Sequence, residues 1–257
     1  MTTTPAQGGS LIPGASAVAA RMADRTIRLT ALGLMRGKVD LAVSGQDNVP
    51  RTGPVVLAAR HYHHLFDGTS LLTTIGRPLR VMVALDWVDA GPRRRIAERM
   101  CAMAGWPVVL RPDAELYRPD LAADPVRTAT YQRETTGYLK RAAGQSVEIL
   151  RRGEAMLMFP EGYPNIDPSF TPKSERTDDF LRTLPGAVRI PLLAQSTGLA
   201  PIPIVPVGFH YRRTGHDAWH IQLRFGEAMY ARERGAADRA VEELGTAIHA
   251  LSREPNS

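Results

Sequence analysis

Two stretches of sequence decide the fold: VVLAARHYHHLFDGTSLL at residues 55–72 and AMLMFPEGYP at residues 155–164. The first is an apolar, β-branched run that ends at His61, and a carboxylate, Asp67, follows within about two helical turns. The second is an apolar run that ends in FPEG, residues 159–162. α/β folds place their chemistry where strands end in polar residues, and a histidine oriented by an aspartate can remove a proton from a hydroxyl. Both stretches therefore indicate an enzyme.

The rest of the chain predicts a single α/β domain, with a mostly parallel mixed β-sheet covered by helices. Apolar strand candidates alternate with helical patterns, which is the arrangement that a parallel sheet requires. These candidates are KVDLAV (38–43), PVVLAA (54–59), LRVMV (79–83), PVVL (107–110), AMLMF (155–159), IPIVPV (202–207) and IQLRF (221–225). Residues 1–14 are predicted to be a flexible tail, and residues 15–257 the domain.

Four motifs follow one another along this chain. They are a His-Asp motif (His61 to Asp67, followed by Gly68), GWPVVLR (Gly105 to Arg111), FPEG (Phe159 to Gly162) and the proline-rich strand IPIVPV (Ile202 to Val207). In type and order they resemble the glycerolipid acyltransferase superfamily, which contains the glycerol-3-phosphate and lysophosphatidic acid acyltransferases. The resemblance covers roughly residues 38–230. It implies an O-acyltransferase on an α/β fold.

The His-Asp motif departs from the family pattern by one residue. Five residues separate His61 from Asp67, whereas the family has four, and the usual spacing would put Tyr62, which is not a base, at the histidine position. His61 is the predicted base because it stands directly at the strand end. The neighbouring His63 and His64 are the competing candidates for the base, and their alternative role is that of polar residues on a helix surface.

The resemblance also assigns roles to individual residues. His61 would remove the proton of the acceptor hydroxyl, and Asp67 would hold the imidazole tautomer and stabilise the imidazolium. Arg111, Glu161 and Gly162 would position the acceptor, since a guanidinium can bind a phosphate through two hydrogen bonds. The alternatives are a surface ion pair for Arg111 and a carboxylate at a helix entry for Glu161.

Two more departures lie close to these residues. Arg60 stands where the family commonly has an asparagine, and Pro164 stands where it commonly has an arginine. The missing arginine makes Lys173 and Arg176 candidates for acceptor binding, because the loop 163–179 follows FPEG directly. A long loop beside a motif is often functional.

The reaction implied by the resemblance needs no metal and no bound cofactor. The donor would be an acyl thioester, either acyl-CoA or acyl-carrier protein, and the acceptor a hydroxyl of a glycerol-phosphate or lysophospholipid. Two other functions stay open. The HxH pattern at residues 61–63, with Asp67 as a further ligand, also occurs in metal-dependent hydrolases. The altered His-Asp spacing also allows a non-catalytic relative that binds lipid or acyl-carrier protein.

Composition narrows the choice of partners. The net charge of +6 suits an anionic partner such as a membrane surface, an acyl-carrier protein, a phosphorylated substrate or nucleic acid. Aromatic residues are only 6% and are not interleaved with the basic runs, so nucleic acid is not expected to be a partner. The single Cys101 rules out an intramolecular disulfide and suggests a reducing compartment.

Membrane association, if it occurs, is predicted to be peripheral, from the cytoplasm and on the inner face of the cell membrane. The uncharged run 190–209 is long enough to span, but it contains four prolines and reads better as a helix, a turn at Gly198 and a strand. Residues 15–37 are a possible membrane-associating helix, capped by Ser16. The basic patch Arg93–Arg95 opens a second helix, whose Ile96, Met100 and Met103 are predicted to face inward.

Overall fold

The computed structural model describes residues 13–113, 123–166, 180–232 and 234–254, with side chains from residue 22 onward except that of Arg234. Most of the predicted N-terminal tail falls outside these ranges, as does most of the loop 163–179. Lys173 and Arg176 also lie outside the described residues, so their predicted role in acceptor binding stays a prediction.

The described strands form a curled, mostly parallel sheet. They are β1 (Val39–Ser44), β2 (Val55–Ala59), β3 (Leu79–Val81), β4 (Val83–Ala84), β5 (Val108–Val109), β6 (Ala155–Met158), β7 (Pro203–Arg213), β8 (Trp219–Phe225) and β9 (Met229–Tyr230). The main sheet has the order β1-β8-β7-β2-β6-β3, with β9 beside β7, and β4 and β5 pair separately. All pairs are parallel except those of β7 with β8 and β9. The predicted α/β class is confirmed.

Helices cover both faces of this sheet. They are α1 (Pro13–Met35), α2 (Phe66–Thr74), α3 (Pro92–Ala104), α4 (Pro125–Arg151), α5 (Gly186–Gln195) and α6 (Ala237–Ser252). The run 190–209 divides into the end of α5, a turn where Gly198 has φ 97°, and β7, as the sequence predicted. No helix within the described ranges is both long and apolar enough to cross a membrane.

Strand β2 lies at the centre and separates two apolar layers. Its five residues are fully buried, which is expected of a parallel strand covered on both faces. Leu57 packs with α2 residues on one face, and Val56 packs with residues of α5 and α6 on the other. Because side chains alternate along a strand, the residues that follow β2 are also directed apart: Arg60 stacks on Phe180 on the α6 side, and His61 lies on the α2 side.

Two helix predictions were wrong. Helix α1 begins at Pro13, so Ser16 lies within the helix instead of capping it. In α3 the predicted inward residues point outward: Ile96, Met100 and Met103 are 58%, 64% and 77% exposed. The reason is Arg94, which is buried and donates from Nε and Nη2 to the carbonyl of Val88 at 2.9 and 2.7 Å.

The inward face of α3 consists of Arg94, Cys101 and Ala104. Burial, and after it the charge of Glu98, raises the pKa of the Cys101 thiol. A buried thiol with a raised pKa is a poor nucleophile, in agreement with a structural role for this cysteine.

Candidate active site

The predicted His-Asp contact is present at the carboxyl end of β2. His61 Nδ1 lies 3.0 Å from Asp67 Oδ2, and the Asp67 side chain is completely buried in the first turn of α2. The imidazole stacks on Phe159, with 4.3 Å between the ring centroids. Since Nδ1 faces the carboxylate, Nε2 is the ring nitrogen left to meet a substrate. This is the arrangement of a general base oriented by a carboxylate.

The segment between His61 and Asp67, which is one residue longer than in the family pattern, contacts the Asp67 carboxylate through its backbone. The backbone N–H groups of Tyr62 and His63 both donate to Asp67 Oδ2, at 2.7 and 2.8 Å. The chain between the histidine and the helix therefore bends around the carboxylate. With the longer spacing, His61 and Asp67 still form a normal hydrogen bond, and two backbone amides donate to the same oxygen.

His63 is held in a different role from His61. Its Nδ1 accepts hydrogen bonds from the backbone N–H groups of Leu65 and Phe66, at 3.2 and 3.3 Å. Burial lowers the pKa of His63 to about 4, so the ring is neutral at pH 7 and its Nδ1 stays an acceptor. His63 thus satisfies amides at the start of α2 and is not the helix-surface residue that was predicted. His64, which stacks on it, is exposed.

Tyr211 completes the surroundings of Asp67. Its phenol donates to Asp67 Oδ1, the oxygen not used by His61, and its ring stacks on Tyr62 with 4.5 Å between centroids. Burial and then the charge of Asp67 raise the pKa of Tyr211 well above its usual value, so the phenol stays protonated and remains a donor. Asp67 therefore receives hydrogen bonds from a ring nitrogen, two amides and a phenol.

The sequence pattern did not indicate Tyr211, because the predicted strand ended at Val207. In the structure β7 continues to Arg213. The signal was present in the alternation, since Val205, Val207, Phe209 and Tyr211 all pack on the α2 side of the sheet.

The FPEG motif forms a turn that lies beside His61. The amides of Asn165 and Ile166 donate to the carbonyls of His61 and Tyr62, both at 2.9 Å, and so join the two motifs. Gly162 has φ 74°, a conformation that favours glycine. The motif therefore supplies a tight turn next to the His-Asp pair.

Glu161 is buried in this turn and does not begin a helix, so the alternative proposed for it is wrong.

On the opposite side of β2, Arg60 is also buried and donates from Nη1 to the carbonyl of Phe209 at 3.2 Å. Burial lowers the pKa of Arg60, while the charges of Glu161 and Asp67 oppose that shift. Arg60, which stands where the family commonly has an asparagine, is thus a buried cation whose charge interacts with that of Glu161.

Arg111 contacts the FPEG turn through its guanidinium. Its Nη1 donates to the carbonyl of Gly162 at 2.8 Å, and its guanidinium lies 3.8 Å from the ring centroid of Tyr163. The same guanidinium pairs with the completely buried Asp86, with Nε 2.9 Å and Nη2 2.6 Å from Oδ2. Arg111 forms an ion pair, as one alternative proposed, but the pair is buried and not at the surface.

The geometry gives no support to a metal-dependent hydrolase. Among the residues that the structure describes, no group of three or more His, Cys, Asp or Glu side chains is placed to hold a metal ion. The two histidines of the HxH pattern also direct their Nδ1 atoms to different partners, a carboxylate for His61 and backbone amides for His63.

The fold and the site define an α/β protein with a histidine and a buried aspartate at the end of a central parallel strand, beside a glycine turn. A family model described as Acyltransferase matches residues 40–210, more than half of the chain. The protein therefore belongs to the acyltransferase family, and the resemblance seen in the four motifs is confirmed.

A solved structure has the same fold. It is PlsC, the 1-acyl-sn-glycerophosphate (LPA) acyltransferase of Thermotoga maritima, which is 16% identical to this chain with a TM-score of 0.52. The match covers 96% of this chain and 86% of that one. No curated protein matches the chain.

Proposed function

We propose that the protein transfers a fatty acyl group from an acyl thioester to a hydroxyl of a glycerol-phosphate or lysophospholipid acceptor. Membership of the acyltransferase family supports the reaction type. The observation that carries the proposal is the 3.0 Å contact between His61 and the buried Asp67 at a strand end. The structural likeness to an enzyme named for its action on a lysophosphatidic acid supports the choice of acceptor.

In the proposed reaction His61 is the general base. Its Nε2 takes the proton of the acceptor hydroxyl while the oxygen attacks the thioester carbonyl, and Asp67 stabilises the imidazolium that forms. When the tetrahedral intermediate collapses, the carbon–sulfur bond breaks and the proton passes from His61 to the leaving thiolate. No enzyme nucleophile is needed, because the acceptor oxygen attacks directly.

We further propose that the FPEG turn positions the acceptor. Arg111 acts in part through this turn, since its guanidinium holds both the Gly162 carbonyl and Asp86. Glu161 and Gly162 belong to the same turn as Phe159, which stacks on His61. If the acceptor carries a phosphate, Lys173 and Arg176 are the proposed additional cations, because one exposed ion pair contributes little.

The donor and the place of action are proposed from the chemistry of the substrates. Acyl-CoA and acyl-carrier protein both present a thioester, and the acceptor is a membrane lipid or its precursor. A peripheral position on the cytoplasmic face of the cell membrane would give access to both substrates, and the positive net charge suits an anionic surface.

Product analysis after incubation with acyl-CoA and a panel of acceptors tests this function. The panel should contain glycerol 3-phosphate, lysophosphatidic acid, a lysophospholipid with a headgroup and a monoacylglycerol. The proposal requires an acylated lipid from at least one acceptor. Turnover of none of them, with acyl-CoA or with acyl-carrier protein as donor, would favour a non-catalytic lipid-binding relative.

Two histidine variants test the proposed base. His61→Ala should lower transfer by about a hundred- to ten-thousand-fold, the usual cost of losing a general base. His63→Asn is the matched control, because an asparagine oxygen can still accept from the helix amides, and it should keep most activity. An inactive His63→Asn with an active His61→Ala would contradict the assignment.

A further inference from the structure

An apolar groove of about 640 Å³ lies between α1 and α3. Its walls are Ile27, Ala31 and Leu34 from α1 and Met100 and Met103 from α3, and Leu72 of α2 lies in its floor. The rim is open to solvent, since Leu34 is 43% exposed and both methionines are more exposed still. A cluster of exposed apolar side chains rimmed by polar residues marks a site of interaction.

The exposed stripe of α3 is flanked by cations. Ile96, Met100 and Met103 are spaced i, i+4 and i+7, so they share one face of the helix. Arg93 lies three residues before Ile96, and Arg99 lies between Ile96 and Met103 at helical-neighbour spacing. Both arginines are exposed. The outward face of α3 is therefore apolar along its middle and positive along its edges.

Helix α1 has the same character on its outer side. Met22 and Leu29 are 66% and 58% exposed, and Arg25 is exposed beside them. Basic helices with an exposed apolar stripe lie in the interface of a lipid bilayer, where arginines meet anionic headgroups and apolar side chains enter the acyl layer. Methionine suits this position because its flexible side chain adapts to an irregular surface.

The groove borders α2 through Thr69 and Leu72, and Trp106 lies at its other side. It is therefore bounded by three helices of the same face of the sheet.

We propose that the face formed by Leu34, Ile96, Met100 and Met103, with Arg93 and Arg99 at its edges, docks the protein onto an anionic lipid bilayer. The proposal rests on the proposed function, because that function requires lipid substrates. A second copy of the chain fits this face less well, since a symmetric pair would bring the arginines of both copies together.

Vesicle binding tests the docking face directly. The full chain is mixed with sucrose-loaded vesicles of phosphatidylcholine, with or without about one third phosphatidylglycerol, and sedimented at several salt concentrations. The unaltered protein should bind the anionic vesicles and release them at high salt, as headgroup contacts are screened. Met100→Ser/Met103→Ser should bind the anionic vesicles at least tenfold more weakly. Arg93→Gln/Arg99→Gln should lose most of the preference for anionic lipid.

Matched controls remove the same groups from other surfaces. Leu193→Ser takes an exposed apolar side chain from α5, on the opposite face of the sheet, and Arg51→Gln/Arg232→Gln takes two exposed arginines from elsewhere. Both controls should bind vesicles as the unaltered protein does. Equal losses in the controls and in the α3 variants would overturn the proposal, because they would show an effect of overall charge or hydrophobicity alone.

Two further measurements separate docking from catalysis. His61→Ala should bind vesicles normally although it is inactive, and Met100→Ser/Met103→Ser should keep its turnover of short-chain substrates dissolved in water. That turnover also shows that the variant is folded. Normal vesicle binding by the methionine variant would overturn the docking face. The proposal would also be overturned if the unaltered protein formed a dimer or a complex with acyl-carrier protein and this variant did not. The face would then bind a protein partner.

Discussion

The hydroxyl of Tyr211 is predicted to tune the His61–Asp67 pair, and Tyr211→Phe tests this. The substitution removes one of the four hydrogen bonds to Asp67 and keeps the aromatic ring that stacks on Tyr62. A hydrogen bond to a charged, buried group contributes about 1.5–3 kcal/mol. Without the phenol, more of the negative charge of Asp67 is available to the imidazolium of His61. Protonated His61 is therefore favoured in the variant.

The expected result is a shift in the pH profile of kcat/KM. The acidic limb, on which the free enzyme's base becomes protonated, should move to higher pH, because Asp67 no longer shares its charge with the phenol. The plateau above that limb should fall by less than about tenfold, because three donors still hold Asp67 in place.

Tyr138→Phe is the control, since Tyr138 of α4 also donates to a carboxylate, Glu98 of α3, which makes no contact with His61 or Asp67 among those described. It should leave the pH profile unchanged. If Tyr211→Phe lowers the free energy of unfolding and leaves the acidic limb where it was, Tyr211 only supports the fold and the reasoning fails.

Three further outcomes are expected. Arg111→Ala should lower the free energy of unfolding by about 3–5 kcal/mol, measured by urea titration, because it removes the guanidinium that pairs with the buried Asp86; an unchanged stability would show that the pair is not formed. The melting temperature should fall as the pH drops from about 6.5 to 4, because folded His63, with its pKa of about 4, resists a proton that the unfolded chain accepts. His63→Asn should lessen this fall. If other groups cause the fall, the variant will show the same fall as the unaltered protein. Dialysis against a strong chelator should leave acyl transfer unchanged, because a base and oriented donors suffice for thioester attack; activity that returns only with zinc or manganese would support the hydrolase alternative.

The parts of the fold that were predictable are those that local pattern determines. β2 and β6 are continuous apolar runs because both faces of a central parallel strand are covered. The contact of His61 with Asp67 was predictable because the strand, the turn and the first helical turn follow one another in sequence. The same locality explains the turn at Gly162, which lies directly after a buried strand.

The contacts that were missed join residues far apart in the chain. Tyr211 reaches Asp67 across 144 positions, and Asp86 reaches Arg111 across 25. Helix α3 shows a different limit, because its sequence carries two stripes that could each face inward. The bonds from Arg94 to the Val88 carbonyl favour one of them, and a helical pattern cannot reveal a partner that lies on the preceding loop.

The spacing of the His-Asp motif was the strongest argument for a relative without catalytic activity, and the geometry removes that argument. An extra residue would be damaging if it pushed His61 away from Asp67. Instead the distance is 3.0 Å, and the amides of Tyr62 and His63 both donate to the same carboxylate oxygen. With these amides and Tyr211 in place, the completely buried carboxyl group of Asp67 has hydrogen-bond partners on both oxygens, as a buried polar group requires. An ionised carboxylate fixed against Nδ1 is what a histidine needs to act as a base from Nε2. The longer spacing thus leaves the hydrogen bond between His61 and Asp67 in place.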